Sequence, residues 1–174
     1  MKQYDRTIKD GDAGIRQTVQ HMLRLIRRDA SNAEVKAIAR KLRAKNDEQT
    51  VFNTFKYVVD NFPYSFDPDD REVLVSPARH FECKNDKGSC DNKYGKSNDC
   101  DDLTMKLCCL LKANGYQTWI KIIEWKADQD GFSHVYAMCL VPTIDKVIPL
   151  DAVAKMKGFG WEKAPVRRSE IFKV

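Results

Sequence analysis

The chain has 174 residues, 43% of them apolar and 32% charged, with a formal net charge of +5. That size suits one domain with its own core and excludes two comfortable ones. No apolar run approaches the ~18 residues a membrane span needs, and the opening MKQYDRTIKDGD lacks a signal peptide's apolar stretch. A cytoplasmic protein without membrane contact is therefore expected.

The first third reads as helices. Ile15, Val19, Met22 and Ile26 recur at helical spacing between Gly14 and Asp29. After DASNAE, where Ser31 or Asn32 is placed to cap, Val35, Ile38, Ala39 and Leu42 mark a second helix. A third runs from about Asp47 to Asn61 on the stripe Val51, Phe55, Val58 and Phe62, and Pro63 ends it. Lys and Arg concentrate between Arg24 and Lys45. No base-reading motif or interleaved aromatics accompany them, so a solvated helical face is expected and nucleic acid is not an expected partner.

Residues 63–98 are rich in Pro, Gly, Asp, Asn and Ser and read as a long ordered loop with a short strand at Glu72–Val75. Another amphipathic helix follows, with Leu103, Leu107, Leu110 and Leu111 inside and Asn114-Gly115 as its stop. Three strands come next: Thr118–Trp125, His134–Pro142 after a turn at Asp128–Gly131, and Asp145–Val153. Short connections favour antiparallel neighbours. Helices, then a loop, a helix and strands, suggest an α+β domain.

The start of the fourth helix holds the chemistry. In SNDCDDLT, Cys100 lies among three aspartates. Acidic neighbours disfavour a thiolate, whereas the free N–H groups and dipole of a helix N-terminus favour it. Asp99 is a natural N-cap, and Asp101 and Asp102 suit a first turn, so the aspartates need not oppose the sulfur. A nucleophile also needs a base. Of the three histidines, His21 falls inside the first helix and His80 in the loop, while His134 opens a strand. One strand later, Asp151 stands among Leu150, Ala152 and Val153, an expensive place for an unpartnered carboxylate. Adjacent antiparallel strands can bring Asp151 beside His134 and complete a Cys-His-Asp triad. The residues alone leave this open against a reading in which Cys100 merely packs.

The remaining cysteines divide by setting. Cys108, Cys109 and Cys139 sit among apolar residues and read as core. Reduced thiols are expected in the cytoplasm, with Cys83 and Cys90 the one pair for which a disulfide stays open. A zinc site from His80, Cys83, Cys90 and Cys100 lacks the tight cysteine knuckle, so no metal or cofactor is expected. Trp119, Trp125 and Trp161 read as packing, with Trp161 the one placed to edge a cleft, and Lys155 and Lys157 as surface.

NDCDDLTMKLCCLLKANGYQTWIKI, FSHVYAMCLV and VIPLDAV, in that order, resemble the core of the transglutaminase-like superfamily, and FNTFKYVVDNFPYSFD is similar to that family's lead-in helix. The resemblance covers about residues 50 to 155 and has no counterpart in the first 45. It implies a papain-like fold in which the cysteine helix packs on an antiparallel sheet bearing His and Asp. Cys100, His134 and Asp151 fall on its catalytic positions. The preceding loop would line the cleft, with Tyr94 and Asn98 as candidate oxyanion donors beside the Cys100 N–H. The implied activity is acyl transfer on protein or peptide amides through a thioester, with a peptidase or amidase favoured over protein cross-linking. A small member of bacterial or prophage type is implied, divided into a helical extension (1–46), a core (47–155) and a tail (156–174). The alternative is a non-catalytic binding module on the same scaffold. Asn98 stands where many members have Gly or Ser, and the stretch from Pro77 to Asn98 is long and polar for the family.

Overall fold

A computed structural model of the chain describes residues 11–66, 73–85, 98–125 and 131–174. Its centre is the helix that Cys100 begins. Helix α5 (Cys100–Ala113) is buried from Asp101 through Leu111. Its leucine stripe predicts one apolar face, but Met105, Cys108 and Cys109 are enclosed as well, so the helix is covered all round. Helices α1 (Gly11–Asp29), α2 (Ala33–Leu42) and α3 (Asp47–Asn61) pack against it, and so do strands β1 (Thr118–Trp125) and β2 (His134–Val141). Val19, Met22, Ile26, Val35, Val51 and Val58 supply the helical contribution to this core. Gly115, at φ +94°, reverses the chain after α5, where the Tyr116 N–H donates to the Leu111 carbonyl at 3.1 Å.

The caps follow sequence logic. Asn32 rather than Ser31 starts α2, its side chain accepting from the Glu34 and Val35 amides. Asn46 does the same for α3 through Gln49. The expected long loop is corrected in part. Residues Pro77–Asn85 form helix α4, and Val73–Val75 carry no strand assignment, Glu72 lying outside the described residues. Ser76 followed by Pro77 is a helix-start signature. Asp29, buried at the end of α1, accepts from the Ser76 hydroxyl and from the Ala78 amide at 3.2 Å, which fastens α4 to α1.

The sheet is antiparallel throughout, in the order β3-β2-β1-β4. Strand β3 (Lys146–Leu150) is shorter than expected, and Pro149 is tolerated because β3 is an edge. Strand β2 stops at Val141, and Pro142–Ile144 make a 3₁₀ turn. A fourth strand, β4 (Val166–Lys173), occupies the stretch expected as a tail and pairs with β1. Among the described residues no helix is long and apolar enough to cross a membrane. The molecule is thus an α+β domain, with five helices and a four-stranded antiparallel sheet among the described residues.

Candidate active site

Cys100 occupies the first turn of α5, and Asp99 is its N-cap, accepting from the Asp102 amide at 3.4 Å. Asp101 and Asp102 turn inward and are buried. Asp102 Oδ1 accepts from the Val75 amide at 3.2 Å, so that carboxylate tethers the segment entering α4. Carboxylate oxygens of Asp99, Asp101 and Asp102 lie within 4.8 Å of one another. The charge that balances them is Lys106, one turn below and fully buried. Burial pushes its ammonium down to about 8, against the pull of Asp102, Asp101 and Asp99. Its Nζ lies 5.2 Å from the centroid of the Phe62 ring. At neutral pH Lys106 remains a cation among the aspartates. The tension at the start of α5 therefore has a structural answer: Asp99 caps, Asp102 tethers, and all three aspartates act electrostatically on the buried Lys106.

His134 opens β2, opposite Ile123 of β1. Asp151 follows β3 directly, and the pairing of Leu150 with Ala137 carries it to the histidine. His134 Nε2 and Asp151 Oδ2 are 2.8 Å apart, with side chains only 9% and 5% exposed. The second Asp151 oxygen accepts from the Val153 and Ala154 amides at 3.1 and 3.2 Å, which fixes the carboxylate. With Nε2 committed to Asp151, Nδ1 is the ring nitrogen left for proton exchange. The rings of Trp125 and Tyr136 flank His134 at 5.6 and 5.9 Å between centroids. Burial and a hydrogen bond to Glu162 push the Tyr136 phenol far up, so it stays a neutral donor. Glu162 also pairs with Lys121 at 2.8 Å.

Two clefts meet at this point. Cys100, Ser133 and His134 border both. The first, of about 600 Å³, is walled by Trp125, Trp161, Tyr64 and Met156, with Lys157 and Lys163 at its rim. Trp161 edges the cleft, and Trp125, expected as packing, joins it. The second, of about 470 Å³, runs between Gly14, Ile15, Val19 and Met22 of α1 and Phe132. Helix α1 is thus a wall of the site, which its amphipathic pattern did not disclose. The one hint is Gly14, a side-chain-free position inside the buried stripe. Ion pairs of Asp12 with Arg168 (2.6 Å) and of Arg16 with Glu170 (2.5 Å) fasten α1 to β4.

The other candidates separate cleanly. Tyr94 lies outside the described residues. Asn98 is buried, and its backbone N–H and C=O are both spent in a bridge to Ser65, which leaves only its side chain for an oxyanion role. His21 sits 3.1 Å from an Arg24 guanidinium nitrogen. His80 is buried on α4 beside Phe62. Cys83, for which the sequence leaves a disulfide open, is disulfide-bonded, which removes it as a zinc thiolate; Cys90 lies outside the described residues. Burial pushes the Cys108 and Cys109 thiols far up and Cys139 to about 12, so none of them is a nucleophile. In the basic stretch, Arg27, Arg28 and Arg43 are held by acceptors within the protein.

Compared with known proteins, the chain matches no family model, no curated protein and no solved structure.

Proposed function

We propose that this domain is a cysteine acyltransferase of transglutaminase-like type with a papain-like core, acting on protein or peptide amides. The observation that carries the reading is the buried His134–Asp151 pair on the same cleft as a helix-terminal cysteine. His134 Nδ1 takes the Cys100 proton, and the thiolate attacks the amide carbonyl. The helix N-terminus favours the sulfur anion, and the Cys100 backbone N–H faces the developing oxyanion. Asp151 holds the imidazole orientation and favours the imidazolium. As the C–N bond breaks, the imidazolium gives its proton to the leaving amine, and a thioester remains on Cys100. Water or a second amine then cleaves it and restores the thiol. Cys100 is only half-buried between two clefts. Water therefore reaches the thioester, and hydrolysis is favoured over transfer to an amine.

Acylation by p-nitrophenyl acetate tests this directly. The expected result is an acetyl group found on Cys100 by peptide mass spectrometry, absent in Cys100→Ala and strongly reduced in His134→Ala. Added alkylamine then reports the partition between water and amine. If no acetyl group accumulates on Cys100, and nitrophenol release is unchanged by either substitution, the acyl-transfer reading falls and the domain is a binding module.

A further inference from the structure

The two arms of the cleft differ in charge. The arm walled by Trp125 and Trp161 has a lip made by the 3₁₀ turn Lys155–Lys157, and Lys163 lies over the Trp125 ring. The described carboxylates near this arm, Asp151 and Glu162, are committed. Asp151 binds His134 and two amides, and Glu162 binds Lys121 and Tyr136. Among the described residues the field that remains is that of lysines. The opposite arm carries Asp99 and Asp101 beside the apolar side of α1.

The lysine arm is also greasier than a free surface should be. Met156, between Lys155 and Lys157, is 90% exposed, and Tyr64 across the cleft is 39% exposed. With the two tryptophans they form an apolar rim on a cleft of about 600 Å³. Exposed apolar groups rimmed by charge mark a recognition surface.

We propose that this arm recognises an acidic peptide segment in which a carboxylate side chain adjoins an aromatic or large apolar one. The apolar side chain enters between Trp125, Trp161 and Met156, and the carboxylate meets Lys157 or Lys163, with the charge of Lys155 adding to the field from the same turn. The polarity fixes direction: an acidic segment is steered to the lysine arm and away from Asp99 and Asp101. A basic segment is repelled from it. Single-stranded nucleic acid shares a taste for aromatic rings and cations. Among the described residues no arginine lines this arm, and the nucleophile beside it suits a carbonyl, so a peptide is favoured. The substrate class rests on the reading of Cys100 as the acyl-transfer nucleophile, but the lip's charge selectivity does not.

The test separates the two. Alkylation of Cys100 by anionic iodoacetate and by neutral iodoacetamide is followed by mass spectrometry, in wild type and in the double variant Lys155→Glu, Lys157→Glu. Both lysines are exposed, so the fold is retained. The iodoacetate-to-iodoacetamide rate ratio is expected to fall about threefold to tenfold in the variant and to shrink with salt in wild type. This ratio reads the lip even if Cys100 is no faster than an ordinary thiol. Protection of Cys100 from iodoacetamide is then measured with a synthetic Glu-Phe-Glu peptide, its Lys-Phe-Lys counterpart and oligothymidylate. The acidic peptide is expected to protect at about tenfold lower concentration than the basic one, and to lose that advantage in the variant. An unchanged ratio overturns the proposal. So do equal protection by the two peptides, protection by neither, and better protection by oligothymidylate.

Discussion

Lys106 offers a prediction whose sign is unusual. Its ammonium is fully buried and its proton affinity is lowered from 10.5 to about 8, chiefly by desolvation. An unfolded chain keeps that proton until the ordinary value, while the folded protein releases it from about pH 8. The contribution of Lys106 to stability therefore rises as pH climbs through this window, because at this group the unfolded state binds more protons there. At about 1.4 kcal/mol per unit of displacement, the full rise is on the order of 3 kcal/mol. The thiols of Cys108, Cys109 and Cys139 and the phenols of Tyr57, Tyr116 and Tyr136 are all pushed up, so they pull stability down, the thiols from about pH 8.5 and the phenols from about pH 10. Urea unfolding at several pH values from about 7 to 10, followed by tryptophan fluorescence, measures the slope. The thiols and phenols act on both proteins alike, so the stability of wild type minus that of Lys106→Met is expected to rise with pH by on the order of 3 kcal/mol, whatever the slope of either profile. A Lys106→Met profile with the wild-type slope, so that the difference is flat or falls with pH, refutes the reasoning.

Leu110→Ala, at a fully buried position in the central helix, is expected to cost about 2–5 kcal/mol in urea unfolding. A cost below about 1 kcal/mol would mean that α5 is not the core helix. Asp29→Ala removes the acceptor for the Ser76 hydroxyl and the Ala78 amide and is expected to cost about 1–3 kcal/mol. Hydrogen exchange at Ala78 checks the cause, since its protection should fall more than that of α5 amides.

Much of the site was legible because each of its parts carries a local signal. Asp99 before a leucine stripe announces a helix start, and Asp151 between Leu150 and Ala152 announces a buried carboxylate in need of a partner. Antiparallel pairing of neighbouring strands then brings His134 to it. What stayed hidden depends on contacts distant in sequence. Strand β4 alternates poorly, with charged Arg167, Arg168 and Glu170 on an exposed edge, so its period is masked. Helix α4 is short and polar, and its fastening comes from Asp29, far upstream. Lys106 within a leucine-rich helix reads as a solvent-facing residue. Its burial becomes intelligible only when the inward aspartates are placed around it. The role of α1 as a cleft wall likewise depends on where Phe132 arrives after the β1–β2 connection.

The most direct measurement is the rate at which iodoacetamide alkylates Cys100 as pH is varied across the acid and neutral range, in wild type and in His134→Ala. A thiolate–imidazolium pair predicts that Cys100 reacts much faster than Cys108, Cys109 and Cys139 already at about pH 6. It also predicts that the substitution abolishes the acid-range reactivity, at a cost in stability because it leaves the buried Asp151 without its histidine. If Cys100 gains reactivity only as an ordinary thiol does, near about pH 8.5, or if the two proteins give the same profile, the catalytic assignment of Cys100 and His134 is contradicted.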